Sequence, residues 1–223
     1  MSDLRTLTAV MHPWKNAQCP MGETKRWGNF PDYGQNLLMH NNSVPWVAEW
    51  VISEVSRTHA IDQALLYRAF IVHDHGEPLT GGDEHIDAQT DDKEIKEWAA
   101  FVELIKGVRP EMKDRLLRAF ALQYARKKQT AQWSEQLVIL ANTFATSYRV
   151  EAVVFDFSEK LDYLFTAYDG HLRGVKNKDE HMLAHALRHN VPKLNAMCEE
   201  LSALKRIWTN TLQDELHSLA VGH

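Results

Sequence analysis

The sequence predicts an all-α protein that forms a single domain of roughly seven or eight helices over residues 1–223. Apolar residues recur with helical spacing through most of the chain, and no internal repeat or flexible linker divides it. The 223 residues, 44% hydrophobic and 25% charged, have an ordinary globular composition and are enough to bury a large core. These observations together favour one helical bundle.

The first half of the chain shows where the helices are expected to begin. We expect an irregular N-terminal segment over residues 1–25, in a stretch rich in Pro, Gly and Asn. A helix is predicted over 43–57, with Ser43 as N-cap and Pro45 in the first turn, where proline is tolerated. Residues 61–75 are apolar nearly all round, as in a central core helix.

The second half continues the same pattern after one polar interruption. Residues 76–92 are rich in Gly and Asp and predict a loop. Several amphipathic segments follow, and some of them open on Pro or an acid and close on Gly or basic residues, as suits the helix dipole. The predicted helices are 92–107, 110–128, 130–170 (one broken helix or two), 179–190 and 192–219.

Charge and cysteine content exclude several classes of function. The formal net charge of -5 and the pI near 6.2 do not favour nucleic acid polymers or anionic membranes as partners. Cys19 and Cys198 are far apart, which fits a reducing cytoplasm better than a disulfide framework. We expect no signal peptide, because the N-terminus lacks a basic start followed by an apolar core. No stretch approaches the ~18 apolar residues of a membrane span.

A cluster of ionisable residues stands where an apolar segment ends, in "IVHDHGEPLTGGDEH" at 71–85. The side chains of adjacent helical residues point about 100° apart, so His73 and Asp74 rarely bind the same metal ion unless the helix ends there. Nearby glycines, beginning with Gly76, predict that ending. An imidazole nitrogen with a carboxylate oxygen suits a borderline or hard divalent cation, and the pair therefore predicts a metal site.

Two ligands bind a metal weakly, so further ligands are expected from elsewhere in the chain. His40 precedes the predicted 43–57 helix and is one candidate. A late helix offers Asp156, Glu159 and Asp162 at three-residue spacing, nearly on one face. The residues alone leave open which of these three carboxylates would complete the site.

The motifs around these residues carry a family resemblance. They are "RW" at 26–27, His40 in "HNNSVPWVA", "HDHGEPLTGGD" at 73–83 and "SEKLDYL" at 158–164. The sequence resembles the HD-domain metal-dependent phosphohydrolases, and most closely their bacterial 5′-deoxynucleotidase branch, from residue 26 to about residue 200. An HD dipeptide followed by Glu at the fourth position and then by Thr-Gly is more specific than the dipeptide alone.

The resemblance implies a metal ligand set and an acid/base residue. His40, His73, Asp74 and Glu159 would bind a divalent ion (Mn, Co, Ni, Fe, Zn or Mg), and Asp74 would also take part in catalysis. Glu159 departs from the family pattern, which has Asp there, so Asp156 or Asp162 are alternatives. Glu77 would act as the acid/base residue beside the attacking water.

The resemblance also implies a set of substrate contacts. Arg26 would hold phosphate and Trp27 would pack against the sugar. Thr80 and Asp83 correspond to the family's Thr-Gly-Asp motif, although an additional glycine, Gly82, shifts Asp83 by one position in this sequence. An aromatic ring beside a deoxyribose would reject a 2′-hydroxyl sterically.

We therefore expect a cytoplasmic enzyme that hydrolyses deoxynucleoside 5′-monophosphates to deoxynucleoside and phosphate. The alternatives are a deoxynucleoside triphosphate triphosphohydrolase on the same scaffold, a non-catalytic nucleotide-binding HD module and a helical adaptor. The expected partners are a small nucleotide substrate and further copies of the chain, as a homodimer or larger, with Trp46, Trp50 and Trp98 available for an apolar interface. His181, His185 and His189 recur every four residues and favour a solvated helix face.

Overall fold

The computed structural model describes residues 21–27, 30, 32–80, 92–177 and 180–221. Within these ranges the chain contains no β-strand, and the all-α prediction is confirmed. Short 3-10 turns at Glu77–Leu79, Leu122–Tyr124 and Ser202–Arg206 join some of the helices. Eight α-helices of ten or more residues are described there: α1 (Leu37–Val55), α2 (Gln63–Val72), α3 (Lys93–Leu104), α4 (Pro110–Ala121), α5 (Glu135–Ser147), α6 (Arg149–Leu172), α7 (Met182–Glu200) and α8 (Asn210–Val221).

Helix α1 begins six residues before the predicted start, so the N-cap prediction at Ser43 is wrong. The side chain of Asn36 caps the helix by accepting the backbone N–H of Met39 at 2.9 Å. Ser43 lies inside α1, where its hydroxyl donates to the carbonyl of His40 at 3.0 Å. Pro45 is also inside the helix. The earlier start places His40 within α1 instead of before it.

Helix α6 is the centre of the bundle and packs against both α1 and α7. Of the two alternatives predicted for 130–170, two helices are present, and Tyr148 separates α5 from α6 at a bend of 99°. Gly170 brings α7 close, because a Cβ atom at this position would lie 2.3 Å from the sulfur of Met182. The central position of α6 explains why a carboxylate on it can reach residues of α1 and α2.

The C-terminal helices differ from their predicted bounds. Pro192 lies inside α7 and does not divide it, so the predicted boundary between 179–190 and 192–219 is wrong. The break comes instead after Glu200, through the 3-10 turn that precedes α8. In the part of the chain described, no single helix has the length and apolar composition to cross a membrane, and one pair, α5 with α6, meets that test only when taken together.

The three tryptophans considered for a subunit interface have different environments. Trp98 is buried and belongs to the core, so it is not available as a surface contact. Trp46 is 81% exposed and Trp50 is 43% exposed, with the Trp50 ring stacked near Phe165. An apolar contact through α1 stays a prediction on these two residues.

Candidate metal centre

Four side chains from three helical segments converge inside the bundle. Nε2 of His40 lies 3.4 Å from Nε2 of His73 and 3.7 Å from Oδ2 of Asp74. Nε2 of His73 lies 3.2 Å from Oδ2 of Asp74 and 3.2 Å from Oε1 of Glu159. The second oxygen of Glu159 lies 3.3 Å from Nε2 of His40. The polar atoms of the four residues thus surround one small volume.

The separations are close to those expected around one ion, and one of them, 3.7 Å between His40 and Asp74, is slightly longer. Donors bound about 2.1 Å from a single cation lie ~3.0 to 3.4 Å apart in octahedral or tetrahedral arrangements. The distances among His40, His73 and Asp74 are 3.2 to 3.7 Å, and all three residues are buried. This buried group could hold a metal ion, and Glu159, with 16% of its side chain exposed, lies against it as a fourth ligand candidate.

The local backbone explains how distant residues meet. His73 is the C-cap of α2, and its N–H still bonds to the carbonyl of Ala69 at 2.9 Å. The chain then leaves the helix, so the side chains of His73 and Asp74 can converge although they are adjacent. His40 projects from the first turns of α1 and Glu159 from the middle of α6, and these two helices pack together.

Hydrogen bonds on the outer side of the centre orient both imidazoles. Nδ1 of His40 lies 2.7 Å from Oδ2 of Asp162, and Nδ1 of His73 lies 2.9 Å from the carbonyl oxygen of Phe70. Because both partners are acceptors, each Nδ1 carries the proton and donates. The two Nε2 atoms therefore face the centre, as in metal sites where a carboxylate or carbonyl fixes the tautomer of a ligating histidine.

The charges of the four side chains favour ionised acids and raise the pKa values of both imidazoles. Burial lowers the pKa of His73, but the charges of Asp74 and Glu159 outweigh burial and raise it to about 9. The pKa of His40 is also raised, because Glu159 and Asp162 outweigh burial and the charge of Arg26. Burial alone would raise the pKa of Asp74 and of Glu159, yet the imidazoles hold both below their ordinary values.

Arg26 and Trp27 lie beside the centre on a segment that is bonded to the chain before α1. The N–H of Arg26 donates to the carbonyl of Gln35 at 3.0 Å, and its Nη1 lies 3.3 Å from Oδ2 of Asp74. Trp27 has a φ of 61°, which is strained for a bulky residue. Its indole N–H donates to the side chain of Gln35 at 2.9 Å, and its ring stacks on Tyr163 at 4.0 Å. These contacts hold the strained residue and direct Arg26 to the centre.

Glu77 lies in the 3-10 turn that follows Asp74, and its backbone N–H donates to the carbonyl of Asp74 at 3.2 Å. Its side chain is buried, and its Oε1 lies 3.6 Å from Nζ of Lys93 at the start of α3. The same Lys93 lies 3.5 Å from Oε1 of Glu97. Burial raises the pKa of Glu97 even though Lys93 opposes it. Two buried carboxylates thus share one lysine, which fixes the position of Glu77 relative to α3.

Gly76 permits the close approach of this turn to α3. A Cβ atom on Gly76 would lie 2.4 Å from the carbonyl oxygen of Glu97, and no side chain fits there without a shift of backbone. The φ of Gly76 is -79°, an ordinary value. The glycine is therefore required for space and not for its conformation.

The structure brings together most of the residues that the sequence singled out. His40, His73, Asp74 and Glu159 form the centre, Arg26 contacts Asp74, and Glu77 lies in the turn that follows Asp74. Thr80 closes the 3-10 turn, and its hydroxyl donates to the carbonyl of Glu77 at 2.9 Å. Asp83 lies outside the described residues.

The three carboxylates of α6 that the sequence offered as ligands have different partners in the structure. Glu159 faces the centre and Asp162 bonds to the outer nitrogen of His40. Asp156 points elsewhere, with Oδ2 3.2 Å from Nε of Arg126 and Oδ1 3.2 Å from Nζ of Lys160. Asp162 as an orienting residue was missed in the sequence, where it could be read only as an alternative ligand.

Lys93 and Glu97 were also missed as neighbours of Glu77. Their i,i+4 spacing on a predicted helix is visible in the sequence, but it gives no sign that the pair faces Glu77 across the turn. His75 is buried, and neither of its ring nitrogens has a hydrogen-bond partner within the described ranges. Burial, assisted by the charge of His73, lowers the pKa of His75 to about 4.

The histidines of α7 do not form a solvated face. His185 is buried, and its Nδ1 lies 2.8 Å from Oε1 of Glu180. Glu180 also accepts two hydrogen bonds from Arg188, at 2.7 and 2.8 Å. Among the residues described, the group of metal-type ligands lies at His40, His73 and Asp74, and this second histidine cluster is an ion-pair network that holds the start of α7.

Comparisons with known proteins give little further information. No protein-family model matches the chain, and no curated protein matches it. Among solved structures, the chain is similar to a conserved hypothetical protein from Pyrococcus furiosus, with 17% sequence identity and a TM-score of 0.48. The similarity covers 84% of this chain and 98% of that chain.

Proposed function

We propose that this protein is a metal-dependent phosphohydrolase of the HD type that converts deoxynucleoside 5′-monophosphates to deoxynucleosides and phosphate. The observation that carries the proposal is the convergence of His40, His73, Asp74 and Glu159, with Arg26 in contact with Asp74 and Glu77 in the turn that directly follows Asp74. A mixed nitrogen and oxygen donor set of this kind suits a divalent ion such as Mn, Co, Ni, Fe or Zn.

The residues around the centre have the chemistry that phosphate ester hydrolysis needs. A divalent cation held there would supply Lewis-acid chemistry, which offsets phosphate charge and acidifies water. Arg26 carries a planar set of N–H donors that matches phosphate oxygens, and in this structure it contacts Asp74 at the edge of the centre. Glu77 accepts the proton of the attacking water or returns it to the leaving oxygen. Lys93 places its positive charge 3.6 Å from Oε1 of Glu77.

Trp27 acts mainly by placing Arg26 in this proposal. Its side chain belongs to a residue only 6% exposed, and one face of its ring is covered by Tyr163. Contact with a sugar would therefore be made by the small remaining edge of the indole. Selection against a 2′-hydroxyl follows if that edge lies beside the ribose carbon.

The test is a comparison of substrates with the purified full chain. We expect phosphate release from dAMP with Mn²⁺ or Co²⁺, slower release from AMP, and loss of release with a chelator. Glu77→Gln should lower kcat by about 100-fold or more, since general acid–base catalysis contributes ~10²–10⁴, and should keep the bound metal. Release of triphosphate from dATP would support the triphosphohydrolase instead. Failure to hydrolyse any of these nucleotides despite bound metal would reject the enzymatic proposal.

A further inference from the structure

A cleft at the N-terminal end of α6 has the features of an anion-binding site. It is an open cleft of about 310 Å³ between α5, the start of α6, the end of α7 and the residues that follow the 3-10 turn Leu122–Tyr124. This volume is at the lower end of the ~300–1,000 Å³ typical of small-molecule pockets. The cleft is lined by three small apolar residues and three charged ones: Ala125, Ala145, Ala152, Arg126, Arg149 and Glu200.

The two arginines are held by one carboxylate between them. Oε2 of Glu200 accepts from Nη1 of Arg126 at 2.8 Å, and Oε1 accepts from Nε of Arg149 at 2.8 Å. Despite burial, these hydrogen bonds keep the pKa of Glu200 below its ordinary value, so it stays ionised. Each oxygen of Glu200 thus faces one guanidinium, and the further N–H groups of the two arginines are not required for these bonds.

Charge in the ion-pair network around the cleft is positive. Asp156 contacts both Arg126 and Lys160, and Glu200 contacts Arg126 and Arg149. Three cations of this network therefore stand against two acids.

We propose that this cleft binds a phosphate group, either as inorganic phosphate or on a small organic molecule. Two guanidiniums fixed by Glu200 offer the forked N–H donors that phosphate oxygens accept. The alanine side chains give an apolar floor on which a short organic substituent can rest. Ala152 and Glu159 are seven residues apart on α6, or about 10 Å along the helix axis, so this cleft is separate from the metal centre.

The location of binding can be read directly from alanine methyl groups. The full chain, labelled with ¹³C at alanine methyls, is titrated at low ionic strength with inorganic phosphate and separately with phenylphosphonate, which cannot be hydrolysed. We expect saturable shifts at Ala125, Ala145 and Ala152. Ala69, one turn before His73, reports on the metal centre and should follow a different binding curve. Tighter binding of phenylphosphonate would identify an organic phosphate as the preferred class, and equal affinity would identify free phosphate.

Substitutions decide whether the arginines form the site. Arg149→Gln removes a side chain that is 64% exposed and should not disturb folding. It should weaken phosphate binding about tenfold or more, as expected for loss of hydrogen bonds to a charged group, and Arg126→Gln should act in the same direction. Arg57→Gln is the matched control, because Arg57 is 64% exposed and pairs with Glu54 away from the cleft. Unsaturable shifts, or shifts unchanged by both cleft variants, would mean an adventitious ion only and would overturn the proposal.

Discussion

Replacement of Asp162 tests the metal centre without removing any ligand. Oδ2 of Asp162 is 2.7 Å from Nδ1 of His40, and both side chains are nearly inaccessible, at 4% and 2% exposed. In Asp162→Asn, the side chain can present its oxygen, which leaves a neutral hydrogen bond in place of a charge-assisted one. It can also present its NH₂ group, which forces the proton onto Nε2 of His40 and blocks that nitrogen as a ligand.

The two orientations of the asparagine give the lower and upper limits of the expected loss of metal affinity. Loss of an outer partner of a metal-ligating histidine typically lowers metal affinity ~10- to 100-fold, which is about 1.4 to 2.7 kcal/mol. The oxygen orientation corresponds to the lower value and the NH₂ orientation to the higher one. Glu159→Gln should weaken binding at least as much, because it changes a side chain that faces the centre.

The assay is a competition for Co²⁺ or Zn²⁺ between the protein and a chromogenic chelator at constant pH. Asp156→Asn is the matched control, since Asp156 lies on the same helix and contacts Arg126 and Lys160 instead of the centre. Its metal affinity should equal that of the unmodified protein. Equal losses for Asp156→Asn and Asp162→Asn, or no loss for Asp162→Asn, would refute the geometric reasoning.

The same geometry leads to three further predictions, two for His73 and one for Gly76. The pKa of His73 is raised to about 9, and its Nε2 must be deprotonated to bind metal, so metal affinity should increase as pH rises toward 9. Calorimetry of metal binding in two buffers of different ionisation enthalpy should show proton release at pH 7. A metal affinity that does not change with pH would contradict this prediction. In the metal-free protein the sign is opposite: the stability from protonated His73 is complete below its unfolded pKa, about 6.5, and urea denaturation should show it lost as pH rises through about 9. Gly76→Ala should destabilise the fold by about 1–3 kcal/mol, because the added Cβ would meet the backbone of Glu97. Gly107→Ala is the control and should not destabilise the fold, because no atom lies within 4 Å of a Cβ added there. Equal urea midpoints for the two variants would show that the turn at Gly76 can move.

The ligands that sequence could identify were those with a local signal. His73 and Asp74 are adjacent, and the glycine that follows shows that the helix ends there. By contrast, Glu159 and Asp162 are three residues apart and lie about 60° from each other around a helix, so periodicity places both toward the same neighbour. Which one reaches the centre depends on side-chain length and on the depth of α6, and neither is visible in the chain.

The start of α1 shows why His40 was placed outside a helix. Asn36 and Ser43 both satisfy the chemistry of an N-cap, and Pro45 close behind Ser43 favours the later position. The earlier cap is used because Leu37 and His40 are buried in the bundle. Inside the helix Pro45 has no N–H to donate, and the free energy gained by tertiary packing outweighs the loss of that hydrogen bond. Burial of this kind is a property of the assembled helices.

The metal-free centre can persist because protons can take the place of the ion. Asp74 and Glu159 are held in their ionised form, His73 is positively charged at neutral pH because its pKa is raised to about 9, and the pKa of His40 is raised as well. When both imidazoles are protonated, a divalent ion that displaces their two extra protons leaves the net charge of the buried group unchanged. Exchange of a metal for two protons therefore does not require unpaired charges to be buried in either state. The helices α1, α2 and α6 can therefore keep one arrangement in both states. The four buried polar side chains are ordered when the chain folds, so metal binding does not have to supply the free energy of ordering them.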